Sequence, residues 1–143
     1  MRVQEILEVL NKFDPVVIAG KTFEPVTIDQ VILESGESVF WAHDSDGRWL
    51  SIDLESEEVI AFTDVEEEIG NSKDVVLYAG EEYEFSYESS ARIRDEDGEE
   101  ELVSWREFEA MNGSILRVMS FEVTGDKVVS MGEKVAEEFL QLP

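Results

Sequence analysis

The first residues of the chain carry apolar side chains at helical spacing. The apolar positions that fall on one helical face are Val3, Ile6, Leu7, Leu10 and Phe13. Asp14-Pro15 ends this pattern, because the residue before a proline avoids the helical region. The pattern predicts an amphipathic helix over 1–14, which could dock on its own domain or on a partner. We expect docking on its own domain, because a short isolated helix is only marginally stable in water.

From Val16 onward the pattern changes to an alternation with a period of two, which is typical of half-buried antiparallel strands. Positions of one parity are Leu50, Ile52 and Leu54; Tyr83, Phe85, Tyr87, Ala91 and Ile93; and Ile115, Met119, Phe121 and Val123, with Arg117 as the exception. Turn signals separate such runs at Gly20, Ser35-Gly36, Asp46-Gly47, Asp97-Gly98, Asn112-Gly113 and Gly125-Asp126. The middle of the chain is therefore predicted to be a meander of hairpins.

One apolar and polar pattern occurs twice with the same internal spacing. Leu50-Ser51-Ile52-Asp53 precedes Val59-Ile60-Ala61-Phe62, and Met119-Ser120-Phe121-Glu122 precedes Val128-Val129-Ser130-Met131. The repeat predicts two related β-rich halves in which the same parity faces inward, so that Leu50 and Ile52 correspond to Met119 and Phe121. The alternative is coincidence, since alternating strands resemble each other.

The fold predicted from these patterns is mainly β: an antiparallel sheet or barrel of two related halves, with short N- and C-terminal helices. A single domain spans 1–143, with half one at about 16–65 and half two at about 75–135. The acidic segment from Asp64 to Asp74 is short enough to connect the halves within this domain. Ser104-Trp105-Arg106-Glu107 fits a helix capping box, but the repeat favours a strand there. Val135, Phe139, Leu140 and Leu142 suggest a short final helix.

Composition narrows the possible functions. Apolar residues make up 43% of the chain, which favours a folded domain over disorder. The net charge of −24 repels phosphate backbones and anionic lipid, so we expect no nucleic-acid binding. It favours cationic partners, although the charge could serve solubility alone. The absence of cysteine excludes disulfides and thiolate chemistry. Because we find neither a leader pattern nor a long apolar run, we expect a cytoplasmic protein without membrane insertion.

The candidate ligand or partner surface consists of Trp41, Trp49, His43, Asp44 and Asp46. An aromatic ring with carboxylates nearby can hold a cation through ring and charge together. Trp49 has the parity opposite to Leu50 and Ile52, so it could face the other side of the sheet. The alternative is that the tryptophans, Trp105 included, form a second small core under the N-terminal helix.

No catalytic site is predicted. His43 is the only histidine, and although Asp44 and Asp46 lie beside it, no motif places a nucleophile near them. Asp44-Ser45-Asp46-Gly47 and Asp95-Glu96-Asp97-Gly98 resemble fragments of a calcium loop, but the remaining ligands are absent in order. We interpret both as tight turns, and we expect no metal, no cofactor and no enzymatic activity.

Several segments together resemble a bacterial family, domain of unknown function 4178. They are Trp41, Gly47-Arg48-Trp49-Leu50-Ser51-Ile52-Asp53, Tyr83, Ser90-Ala91-Arg92-Ile93, Gly98-Glu99, Ser120-Phe121-Glu122 and Val129-Ser130-Met131-Gly132-Glu133. The likeness extends from about Thr22 to Glu133, and Trp41-Ala42-His43-Asp44 departs from the family's Trp-x-Glu-Tyr. The resemblance implies a β-rich domain encoded near polyamine (aminopropyltransferase-like) or phage-shock-type membrane-stress genes. The family has no established catalytic residues to carry over.

These observations lead to two functional hypotheses. The first is a non-enzymatic protein-interaction module in a stress- or polyamine-linked operon, whose partner has a basic surface. The second is a small-ligand protein for a cation such as a polyamine, with Trp41 or Trp49 and nearby carboxylates as its site. A concave pocket with converging carboxylates and an aromatic floor would favour the second hypothesis. A flat apolar patch would favour the first.

Overall fold

The computed structural model describes residues 1–67, 69 and 74–143. This part of the chain contains one α-helix, α1 (Val3–Asn11), and twelve strands. The strands are β1 (Val16–Ile18), β2 (Lys21–Phe23), β3 (Thr27–Leu33), β4 (Ser38–His43), β5 (Arg48–Asp53), β6 (Glu58–Val65), β7 (Val75–Tyr78), β8 (Glu81–Arg94), β9 (Glu100–Ala110), β10 (Ile115–Phe121), β11 (Lys127–Val135) and β12 (Leu140–Gln141). All six predicted turn signals lie between consecutive strands.

Antiparallel pairing closes the strands into a barrel. Nine strands follow the order β3-β4-β5-β6-β11-β10-β9-β8-β7, and an additional pairing of β3 with β8 completes the ring, leaving β7 outside it. The barrel consists of two four-stranded meanders, β3–β6 and β8–β11, joined first strand to first and last strand to last. This confirms the predicted fold class. The two repeated segments form the third and fourth strands of their meanders, while a common origin of the halves stays a prediction.

The predicted facing of the repeat is wrong. Leu50 and Ile52 lie on the outside of the barrel, where they pack under α1, whereas Met119 belongs to the cluster inside it. Phe121 also faces the interior, where it is only half-buried. The error has a simple cause: four successive residues of β5, Trp49 to Ile52, are all buried. A strand covered on both faces loses the alternation that tells inside from outside.

Three apolar clusters hold the molecule together. The first lies outside β4–β6, where α1 and a small sheet of order β12-β1-β2 cover the barrel wall. The second fills the barrel interior, and the third lies outside β9–β11 beneath β7. The prediction that α1 docks on its own domain is confirmed, since Ile6 and Leu10 are completely buried. Phe13 departs from the prediction: the helix ends at Asn11, and this ring is largely exposed.

The segment around Trp105, the C-terminus and the acidic connection are further places where the sequence predicts a structure. The ambiguous segment around Trp105 is a strand, within β9. At the C-terminus, the predicted helix is reduced to a 3-10 turn, Glu137–Phe139, and β12 then pairs with β1. In the acidic connection, Glu68 and residues 70–73 lie outside the described residues. Within the described residues, no helix combines the length and the apolar content that a bilayer span requires.

Candidate functional site

The two tryptophans of the predicted surface are inside the barrel. Trp41 on β4 is 2% exposed and Trp49 on β5 is 1% exposed. Their ring centroids are 5.1 Å apart, and Trp41 meets Trp105 on β9 at 5.6 Å across the barrel. The rings therefore form the interior core. The rings are almost completely covered, and they do not form the second core under the helix that was the alternative.

The other three predicted residues lie where β4 turns into β5, next to Trp49 in the chain. His43 stacks on the Trp49 ring with centroids 5.7 Å apart, and burial lowers the pKa of His43 despite the opposing charges of Asp64 and Asp44. The Asp44 carboxylate accepts hydrogen bonds from the backbone N–H groups of Asp46 and Arg48 and from Arg48 Nε, at 2.8–3.0 Å. Asp46 is exposed at the turn. The five residues are close together, but they do not form an open ligand site.

The two Asp-x-Asp-Gly segments are turns, as predicted. Asp95 repeats the role of Asp44: its Oδ1 accepts hydrogen bonds from the backbone N–H groups of Asp97 and Glu99, both at 2.9 Å. In each segment the first carboxylate is thus occupied by the backbone of its own loop. Within residues 1–67, 69 and 74–143, no group of three or more His, Asp or Glu side chains is placed to hold a metal ion.

The interior of the barrel contains a cation of its own. Arg117 on β10 donates from Nε (3.1 Å) and from a terminal nitrogen (2.7 Å) to the same Oε1 of Glu107 on β9. The same terminal nitrogen lies 3.4 Å from the Tyr87 hydroxyl, to which Trp105 Nε1 also donates at 3.4 Å. Arg117 and Glu107 are both buried. Burial of charged groups in an apolar core is costly unless they are paired and hydrogen-bonded, and these bonds meet that requirement.

Aromatic rings surround this guanidinium. Its central carbon lies 4.7 Å from the Phe62 centroid, 5.0 Å from that of Trp105 and 5.8 Å from that of Trp49. The combination of ring and charge that was predicted for an external cation is therefore present but filled by Arg117. The sequence contained one signal of this internal cation, because Arg117 is the polar exception among the alternating apolar residues of β10. Its cross-strand partner Glu107 could not be singled out among 35 acidic residues.

A second buried network anchors the other side of the tryptophan cluster. Trp49 Nε1 donates to Asp64 Oδ1 at 3.0 Å and approaches Ser130 Oγ at 3.3 Å, while the Ser130 hydroxyl donates to the same Asp64 oxygen at 2.7 Å. These bonds connect β5, β6 and β11. By contrast, Trp41 Nε1 is buried without a hydrogen-bond partner among the described residues.

The space left inside the barrel is small. A cavity of about 100 Å³ lies beside Arg117 and Trp41, with Tyr87, Asp53 and Glu58 also in its lining. Pockets for small molecules usually measure about 300–1,000 Å³. An eight-stranded barrel can hold one small ligand only when its side chains leave room, and here they fill the interior. The interior is thus a packed core, and candidate binding surfaces lie on the outside.

The β7–β8 hairpin presents such a surface. Val75 and Leu77 on β7 are 42% and 79% exposed, and they pair in register with Glu84 and Glu82 on β8. Glu109 on β9 continues the row beside Glu84. Because β7 ends the strand order, β8 is its only sheet partner among the described residues. We call the surface formed by Val75, Leu77, Glu82, Glu84 and Glu109 the hairpin face.

No family model, no curated protein and no solved structure matches this chain. Membership of the family domain of unknown function 4178 therefore stays a prediction from the quoted segments.

Proposed function

We propose that this chain is a non-enzymatic protein-interaction module whose hairpin face binds a basic, extended segment of a partner protein. The observation that carries the proposal is the position of exposed Val75 and Leu77 on an edge strand, in register with Glu84 and Glu82. The operon setting implied by the family resemblance, stress- or polyamine-linked, agrees with this proposal and stays a prediction.

An edge strand has backbone N–H and C=O groups that another strand can pair with. Natural sheets usually protect such edges with lysine, proline or a short length. β7 is short, but its outward side chains are apolar. A partner strand added beside β7 would gain backbone hydrogen bonds and cover Leu77, the more exposed of the two apolar residues.

Charge then selects the partner. Glu82 and Glu84 flank the apolar positions, and the whole chain carries a net charge of −24. Such a field accelerates the approach of a basic segment and repels an acidic one, a second copy of this chain included. A partner strand that carries both apolar and basic residues at every second position, and therefore on one face, would match both properties of the hairpin face.

The alternative function, binding of a small cation such as a polyamine, has weaker support. It was predicted for Trp41 and Trp49, whose rings are buried, and the aromatic cage they belong to surrounds Arg117. The two functions predict different effects of substitutions on the hairpin face. A polyamine would respond to the charge of this face but not to its apolar residues.

The test is calorimetric titration with an acetylated peptide of Lys-Thr-Val-Thr repeats, which places lysine and valine on the same face of a strand. The same peptide with glutamate in place of lysine, and spermidine, are the controls. Leu77→Ser should weaken binding of the lysine peptide roughly tenfold, because it removes apolar contact without changing charge. Glu82→Gln with Glu84→Gln should weaken binding more than the matched pair Glu8→Gln with Glu55→Gln, which removes the same charge elsewhere. Equal weakening by the two pairs, with Leu77→Ser neutral, would leave only non-specific attraction. If spermidine binds as tightly as the peptide, the small-cation alternative is favoured.

A further inference from the structure

A second, much larger concavity lies outside the barrel, and none of the hairpin-face residues lines it. It is an open groove of about 1000 Å³ between the small sheet β12-β1-β2 and the outer wall formed by β5, β6 and β11. Ile18 and Phe23 line it from the small sheet, and Leu50, Ala61 and Met131 line it from the barrel. This volume is at the upper end of the range for small-molecule sites.

The charge of the groove is unusual for this chain. Its lining contains three basic residues, Lys21, Arg48 and Lys134, and one acidic residue, Glu133. By contrast, one basic and two acidic residues line the cavity beside Arg117, and the same numbers line two shallower concavities, one around Phe13 and Arg94 and one around Glu34 and Arg106. In a protein with 35 acidic and 11 basic residues, a wall with a basic excess runs against the composition. Because Arg48 and Lys134 already pair with carboxylates outside the lining, Lys21 is the cation whose charge favours a ligand with a single negative charge.

The three cations of the lining differ in their partners. Arg48 donates to the backbone carbonyl of Thr22, the residue that follows Lys21 in the chain, at 3.1 Å. Arg48 also pairs with Asp44 at 2.8 Å, and Lys134 pairs with Glu58 at 3.3 Å. Lys21 is exposed and has no ion-pair partner within residues 1–67, 69 and 74–143. Its ammonium is the group left to receive a ligand's charge.

We propose that this groove binds an amphiphilic monoanion, an apolar chain that ends in a carboxylate. The chain would lie along Phe23, Ala61 and Met131, and the carboxylate would meet Lys21 beside Arg48. An apolar wall with few convergent polar groups is the usual composition of such a site. The groove does not include the hairpin face, so this inference stands independently of the proposed interaction with a basic segment.

Dodecanoate, titrated below its critical micelle concentration and followed by calorimetry and NMR shifts, is the probe. Dodecyltrimethylammonium, with the same chain and the opposite charge, is the control ligand. Lys21→Gln should weaken dodecanoate binding about five- to tenfold, while Lys127→Gln, the same change on an exposed lysine outside the groove, leaves it unaltered. Ala61→Trp should abolish binding by filling the groove, and Met131→Trp serves the same purpose if Ala61→Trp fails to fold.

Three results would overturn the proposal. The first is binding of dodecyltrimethylammonium at least as tight as that of dodecanoate. The second is an equal loss of affinity in Lys21→Gln and Lys127→Gln. The third is dodecanoate binding that survives both groove-filling variants or occurs only above the micelle concentration. Leu77→Ser, which tests the hairpin face, should leave dodecanoate affinity unchanged, so failure of either proposal can be told from failure of the other.

Discussion

Arg117 and Glu107 face each other on neighbouring strands inside the barrel, and one carboxylate oxygen of Glu107 accepts two hydrogen bonds from the guanidinium. Their side chains are 4% and 11% exposed. Desolvation of two charges offsets most of their attraction, so the pair adds little net stability, but each member depends on the other. This relationship leads to the first prediction.

Removing one member of the pair should destabilise the fold strongly. We expect Glu107→Leu or Arg117→Met alone to lower the free energy of unfolding by about 3–5 kcal/mol, because a buried charge loses its partner. The double variant should lose much less than the sum of the two. Urea unfolding of all four proteins measures this coupling. A double variant as unstable as the sum of the single ones would contradict a direct interaction.

The ring of Phe62 leaves no room for a side chain at Gly132. The two residues are cross-strand partners on β11 and β6, and a Cβ at Gly132 would lie 2.6 Å from two atoms of the ring. Gly132→Ala should therefore cost about 1–3 kcal/mol of stability through overpacking. In a Phe62→Leu background the same change should cost less, because the smaller side chain gives way. Thermal or urea unfolding of the double-mutant cycle checks this, and equal costs in the two backgrounds would rule out the clash.

Asp29 should make stability depend on pH. Burial, followed by the charges of Asp95, Glu96 and Glu101, raises the pKa of Asp29 from 3.8 to about 6. Between these values Asp29 of the folded state holds a proton that the unfolded chain releases. The stability that this proton contributes is therefore complete below about pH 4 and is lost as the pH rises through about 6. We expect Asp29→Asn to unfold at higher urea than the wild type at pH 7.5. The difference should shrink toward pH 4.

Wild-type Asp29 can also be observed directly. The carboxyl carbon shift, followed by NMR, should titrate near pH 6 and move to lower pH when Glu101→Gln and Glu96→Gln remove like charges. A midpoint close to 4 would contradict the burial of this carboxyl. A variant of an exposed carboxylate, such as Glu8→Gln, is the matched control for the stability measurement and should not change the pH dependence.

Met119 and Phe121 should differ in their contribution to the interior core. Met119 is buried and Phe121 is half-buried. Met119→Ala should cost about 2–5 kcal/mol, whereas Phe121→Ala should fall below the roughly 3–5 kcal/mol expected of a fully buried phenylalanine. Urea unfolding separates the two. A full phenylalanine penalty at Phe121 would mean that this ring is more enclosed in solution than its exposure indicates.

Much of the secondary structure followed from local patterns. Val3, Ile6 and Leu10 define one face of a helix whatever they pack against, and Asp-Gly at 46–47 and 97–98 places hairpin turns because glycine adopts the positive φ that these turns need. Such features depend on residues close in the chain, so they can be recognised without knowledge of the fold.

The candidate site could not be predicted in the same way. Trp41 and Trp49, with carboxylates beside them, have the composition of a cation site, and only barrel closure through β3 and β8 encloses the rings. Arg117 was visible as an exception in β10. That it occupies the aromatic cage depends on Phe62, which lies far away in the sequence, and on the register that brings Trp105 of the neighbouring strand beside it.

The sequence by itself determined the β-rich class, the meander of hairpins and the docked helix, because periodicity and turn chemistry are local properties of the chain. The tertiary structure decided which face of each strand became interior. On β5 both faces are apolar, so Trp49 and Leu50 are equally suited to a core, and only strand pairing around the closed barrel assigns one to the inside and the other to α1. Burial is a relation between distant segments, and neither alternation nor spacing within one segment contains it.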